Sequence, residues 1–238
     1  MSKTYRNVSE SVKAKALEIQ SKGELIKLSN TSKLGTKSWS LQALNKCPAS
    51  KTPTGELVDA CKGCYATFGQ YNYKNVKASR EFNDWAWKQD NFVDEFVKAL
   101  QGVSHFRWFD SGDMYNHALA VKMWHIMERT PNTMHWIPTR MHKFKKFHSV
   151  MNAMHELDNV CIRLSSDSIM GELVDVPITL NIETTSTIIP DSFIDPHCKV
   201  ENIFKCLAPE QGGKCLDCRA CYDKDIKTIA YTGHGCIS

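Results

Sequence analysis

Three cysteines separated by successive gaps of two residues, Cys215, Cys218 and Cys221, are the clearest chemical signal in the chain. With Cys206 they read C-x8-C-x2-C-x2-C, and an earlier group holds Cys47-Pro48 and then Cys61-Lys62-Gly63-Cys64. A C-x2-C loop turns tightly enough for two sulfurs to meet one metal, or two irons of a cube. Gly63 and the Gly212-Gly213 pair supply the backbone freedom such loops use. Structural zinc usually takes two paired hooks around one tetrahedral ion. A third sulfur so close to the first two suits a cube of irons better. The expectation is an iron–sulfur cluster of the 4Fe-4S type, one or two per chain, with zinc as the alternative.

Two partitions of the ligands stay open. In one, Cys206, Cys215, Cys218 and Cys221 complete a cluster, while Cys47, Cys61 and Cys64 hold a second with one iron open. In the other, both groups serve one site or exchange ligands, with His234 or Cys236 making up a count of four. An open iron can bind a substrate or cofactor directly, whereas a fully ligated cluster transfers electrons or holds the fold. Cys161 lies in a strand-like run and reads as a small buried hydrophobe. Cys198, beside His197, stays unassigned.

The compartment matters, because ten cysteines in 238 residues mean disulfides in one setting and metal ligands in another. Met1 to Lys15 is polar, without the apolar run of a signal peptide. No stretch approaches the ~18 apolar residues of a membrane span. A cytoplasmic protein with no membrane partner is therefore expected. A formal charge of +4 is mild, and Lys143, Lys145 and Lys146 leave nucleic acid as a candidate partner.

The elements that must position these residues alternate in type. Ser9 to Gln20 reads as a helix ended by Gly23, Ser29 to Ser40 as a hairpin or extended loop, and Asn75 to Leu100 as one or two helices. From there strands and helices alternate: strand His105–Asp110, helix Asn116–Arg129, strand Met134–Thr139, helix Lys143–Leu157, strand Val160–Leu164. A fourth strand is expected at Ile178–Ile182 and a closing one at Thr228–Tyr231. This rhythm predicts an α/β fold, a mainly parallel sheet of βα units resembling a partial barrel. Residues 1–204 would form the α/β domain with the first cysteine group, and 205–238 a cysteine-rich tail packed on it. Loops after parallel strands share one edge of the sheet. Here they read Asp-Ser-Gly-Asp from Asp110, Thr139-Arg140, Ser-Ser-Asp ending at Asp167, and Glu-Thr-Thr-Ser from Glu183. Arg107, Asp110, Asp113 and Arg140 are thus candidates for holding a polar partner through charge-assisted hydrogen bonds.

Short motifs in a fixed order give the chain a relative. Asn30-Thr31-Ser32-Lys33-Leu34-Gly35, Cys47-Pro48, Cys61-x2-Cys64-Tyr65-Ala66 and Phe106-Arg107 with Ser111-Gly112-Asp113 precede the cysteine-rich tail ending at Gly233-His234. In this order the sequence resembles the bacteriophage gene product 88 family, which implies a phage origin and no known reaction. Cys61-x2-Cys64-Tyr65-Ala66 followed by βα units is also loosely similar to radical S-adenosylmethionine enzymes. That likeness implies a three-cysteine cluster at the mouth of a partial barrel, with S-adenosylmethionine as cofactor. The spacing departs from the usual C-x3-C-x2-C, since thirteen residues separate Cys47 from Cys61, and no Gly-Gly-Glu-type segment follows the first helix. The expected function is an iron–sulfur protein, an enzyme if its cluster is open. The competing expectation is a metal-stapled regulatory module acting on host nucleic acid or protein.

Overall fold

A computed structural model describes residues 9–190 and 203–233. His197, Cys198, His234 and Cys236 lie outside the described residues. Helix α1 (Glu10–Gln20) places Val12 and Ala16 one turn apart, and both are buried against Ala78, Phe82 and Ala86 of helix α3 (Lys74–Ala86). Between them, β1 (Ser29–Asn30) and β2 (Lys37–Trp39) pair antiparallel as the expected hairpin. Residues 40–73 then run without a strand and carry the short α-helix α2 (Asp59–Lys62) and three 3-10 turns. They contain the whole first cysteine group.

Beyond α3 the chain winds regularly through α4 (Phe92–Ala99), β3 (His105–Trp108), α5 (His117–Glu128), β4 (Met134–Thr139), α6 (His148–Glu156) and β5 (Val160–Ser165). Strands β6 (Thr185–Ile189), β7 (Ile203–Lys205) and β8 (Thr228–Thr232) complete one eight-stranded sheet, in the order β1-β2-β3-β4-β5-β6-β8-β7. Every pairing except β1–β2 is parallel. From β2 to β6 the spatial order is the chain order, so right-handed crossovers put their helices on one face.

Strand alternation divides the side chains between that face and its opposite. Phe106 and Trp108 of β3 enter the main core with Phe96, Leu119, Met123 and Met151, all fully buried. Phe96 stacks on Trp108 at 4.9 Å. His135 of β4 shares this face, accepting from the Trp108 indole at 3.2 Å and meeting Thr130 at 2.9 Å. Burial pushes its imidazole down to about 3, so it serves as a neutral core residue. His105, Arg107 and Trp136 point the other way. That face is covered by the β7–β8 crossover, the segment in which Cys206, Cys215, Cys218 and Cys221 all lie.

Two elements differ from the sequence expectation. The fourth strand is Thr185–Ile189, seven residues later than predicted, while Ile178–Ile182 is a turn and extended chain. Ile178 is fully exposed, and Leu180 and Ile182 reach the core from irregular backbone. The polar Thr184-Thr185-Ser186 cluster, expected as a loop, enters the sheet because each hydroxyl finds a partner. Thr184 donates to the Ile162 carbonyl, Thr185 pairs with Thr228 at 2.8 Å, and Ser186 donates to Ser165 at 3.4 Å. The helix expected from Lys143 starts only at His148, after two single 3-10 turns. Among the described residues, no helix is long and apolar enough to cross a membrane.

Candidate metal centres

The tail cysteines come together around one pocket. Cys206, Cys215, Cys218 and Cys221 line it together with Leu34, Phe204, Ala208, Ala220, Tyr222 and Ile229. The β1–β2 hairpin anchors this segment, since the Cys215 amide donates to the Lys33 carbonyl at 2.7 Å. Between Cys215 and Cys218 the hook bends through Leu216, whose φ of 46° is left-handed, a conformation that costs a side-chain-bearing residue about 1–2 kcal/mol. Burial pushes the Cys221 thiol up to about 11, against the pull of the Tyr231 hydroxyl 3.2 Å away and the charge of Arg163. All eight described cysteines are free thiols. Among the described residues no three His, Cys, Asp or Glu side chains are gathered as a single-ion site. The tail is thus a ring of thiols around an apolar pocket rather than a point of convergence.

The earlier cysteines sit at the C-terminal ends of the strands. Cys61, on α2, is buried, and Cys64 follows the Gly63 cap, its amide donating to the Cys61 carbonyl at 3.3 Å. Both pack against Leu44, Leu57 and Val58. Residues 40–73 are fastened over three strand ends. The Asp113 amide donates to the Lys46 carbonyl, the Ala60 amide to the Asp167 carbonyl, and Lys143 Nζ to the Ala49 carbonyl at 3.1 Å. Burial raises the thiols of Cys47, Cys61 and Cys64; Asp113 pushes Cys47 further up, while Arg140 pulls Cys61 and Cys64 back. Cys61 and Cys64 add more weakly to the rise at Cys47.

The rim residues expected from the sequence do gather here, in different roles. Asp113 is 6% exposed and faces inward, accepting from the Thr139 hydroxyl (2.7 Å) and from the amides of Met114 (2.8 Å) and Arg140 (3.1 Å). It joins the β3 and β4 loops rather than meeting a ligand. Arg140 donates twice to the Ser166 carbonyl, at 3.1 and 2.8 Å, and pairs with Asp167 at 3.3 Å. Lys143 also pairs with Asp167, so this lysine belongs to the rim and not to a free basic patch. The fourth expected loop, from Glu183, is absent from the rim, because its hydroxyls lie in and beside β6.

Arg107 stands between the two cysteine groups. On one side its guanidinium donates to the Tyr65 hydroxyl (3.2 Å) and pairs with Asp110 (3.5 Å); on the other it lies 4.7 Å over the Trp136 ring, which belongs to the tail's apolar cluster. Burial opposes its charge, but Tyr65 and Asp110 outweigh that cost and raise its pKa. Tyr65 donates in turn to the Asp110 carbonyl, and Tyr71 to the Asp110 carboxylate at 3.0 Å. Sequence reasoning missed Tyr65, Tyr71 and Arg80. Arg80 is 4% exposed, lies 4.7 Å over the Tyr71 ring, and has an Nη1 with no partner. No pattern in α3 marks it, because Arg80 lies on the side of the helix away from the Ala78–Phe82–Ala86 stripe. Cys161, as expected, is a fully buried strand residue outside both groups.

A model of the family described as gene product 88 matches residues 8–224. The chain belongs to the gene product 88 family. That match spans both cysteine groups and every rim residue named above, and the family suggests a phage origin. No curated protein matches the chain, and neither does any solved structure.

Proposed function

We propose that this gene product 88 family member is a phage-encoded iron–sulfur protein with two unequal centres. Cys206, Cys215, Cys218 and Cys221 would hold a closed cluster, and Cys47, Cys61 and Cys64 a second one with an iron left open. The observation that carries the reading is the gathering of four thiols around one apolar pocket, a donor set that fits a polynuclear cluster. The thiols of the front site, three in number and overhung by charged rim residues, fit a cluster short of one protein ligand. A bound cluster supplies one-electron transfer and, at an open iron, a coordination position. The chain's own residues do the rest. Residues 40–73 and their apolar side chains screen the thiols from water, and the Arg107–Tyr65–Asp110–Tyr71 network offers charge and hydroxyls to orient a polar partner. We further propose S-adenosylmethionine as the ligand to try first, on the likeness of a three-cysteine loop at the strand ends of a partial barrel.

Anaerobically purified protein is expected to be brown, to contain iron and acid-labile sulfide, and to change its spectrum on adding S-adenosylmethionine. Cys64→Ala should lose the front cluster's share of both. Colourless protein holding zinc without sulfide would overturn the iron–sulfur reading in favour of a metal-stapled module. Steep salt-dependent retention on nucleic acid would then give that module a partner. A brown protein whose spectrum ignores S-adenosylmethionine would remove only the cofactor.

A further inference from the structure

Arg163 is the most unusual charged residue in the fold. It sits in β5 between Ile162 and Leu164 and is 0% exposed. A guanidinium taken out of water is costly unless its donors are satisfied and its charge is offset. Each of its three nitrogens has an acceptor. Nε donates to the Cys221 carbonyl (3.1 Å), Nη1 to the Ile226 carbonyl (2.8 Å), and Nη2 to the carbonyls of Ala220 (2.8 Å) and Asp223 (2.6 Å). Among the described residues no carboxylate pairs with it. All four acceptors belong to one turn of seven residues, Ala220 to Ile226, which begins beside the last cysteine of the tail.

We propose that Arg163 is the positioning residue of the tail site. Its planar fork fixes the turn that brings Cys221 to the pocket it lines. This rests on the reading that the tail cysteines hold a metal centre. Four carbonyl oxygens satisfy hydrogen bonds but supply no net negative charge. The Cys221 backbone itself lies in direct contact with the guanidinium, through its carbonyl at 3.1 Å. A lysine cannot reproduce the arrangement, since it keeps the charge and loses the fork.

The test uses the full chain, prepared anaerobically, with R163K and R163Q alone and combined with C218S or C64S. R163Q is expected to lower bound metal by the same share as C218S. The R163Q/C218S pair should lose no more than either single variant, while R163Q/C64S should lose the front share as well. In R163K, where the charge remains, release of the tail metal to a chelator should be roughly tenfold faster, the lower end of the usual effect of removing a ligand's hydrogen-bonded support. Full metal content in R163Q, or losses that add with C218S, would overturn the proposal. Were R163Q insoluble, an unchanged release rate in R163K would do the same. A merely stabilising arginine would lower the urea midpoint of metal-free protein and leave that rate alone. Zinc without sulfide in the wild type would sink the iron–sulfur reading separately, and the same pairs of variants would then be read on zinc.

Discussion

Asp113 shows how a charged residue at a site can serve the site without facing it. Its carboxylate collects a hydroxyl and two amides, and its own amide holds the cysteine loop through the Lys46 carbonyl. Asp113→Ala strands those three donors in a buried place at about 1–3 kcal/mol each, so a stability loss of at least about 2 kcal/mol is expected in urea melts. Burial raises this carboxyl above its ordinary 3.8, outweighing the hydrogen bonds that lower it. The native state therefore holds the proton more tightly than the unfolded chain. The stability this group contributes is fully present below 3.8 and is lost as pH rises through the raised value. Asp113→Asn should flatten that part of the pH–stability curve, and an unchanged curve would refute the assignment. At this scale, spacing in the sequence marked the tail cysteines that the fold brings around one pocket. Arg80 and Arg163 were not marked this way: Arg80 is one charge among several on a polar helix and is set apart only by the Tyr71 ring beside it, and Arg163 gains meaning only from backbone folded onto it from elsewhere.

Elements were readable in proportion to their apolar periodicity. Helices α1, α3, α4 and α5 and strands β3, β4 and β5 fall where the pattern put them, since each buries an apolar face, α1 and α3 against one another and the rest in the main core. Strand β6 escaped because its inner positions are Thr and Ser, whose hydroxyls pair across the sheet and need no apolar neighbour. Residues 40–73 carried no period at all, being held by loop-to-loop hydrogen bonds that no local pattern encodes. One of those junctions gives a sharp test. Gly112 has φ 83°, and a Cβ there would stand 2.6 Å from Leu41 Cβ. Around it the Leu41 amide donates to the Ser111 carbonyl and the Ser111 hydroxyl to the Leu41 carbonyl. Gly112→Ala combines a left-handed backbone with a collision, so it should cost more than about 1 kcal/mol. It should also lower metal content at the front site more than at the tail. Equal losses at both sites would mean that this junction does not govern the cysteine loop.

The whole molecule is a sheet with different occupants on its two faces: helices on one, the cysteine-bearing crossover on the other. The helical face has a continuous core that needs no metal, whereas the crossover has only a small apolar cluster around its thiols. If the thiols hold metal as proposed, stripping it should therefore leave the far-UV dichroism of the helices and sheet in place. It should also lower the melting temperature and open residues 206–227 to protease, because metal binding and local folding would be coupled there. Identical cleavage maps with and without metal would show that the crossover folds unaided. Strand β8 has one more consequence. It is last in sequence among the described strands but lies between β6 and β7. As a nascent chain emerges, β2 to β6 can pair in order, yet β7 has no native partner until residues 228–232 arrive. Assembly therefore has a fixed final step, at which β7 docks, the crossover closes and the tail site forms together. Until that moment β6 remains an open edge, and the sulfurs of the tail are exposed to whatever metal or oxidant reaches them first.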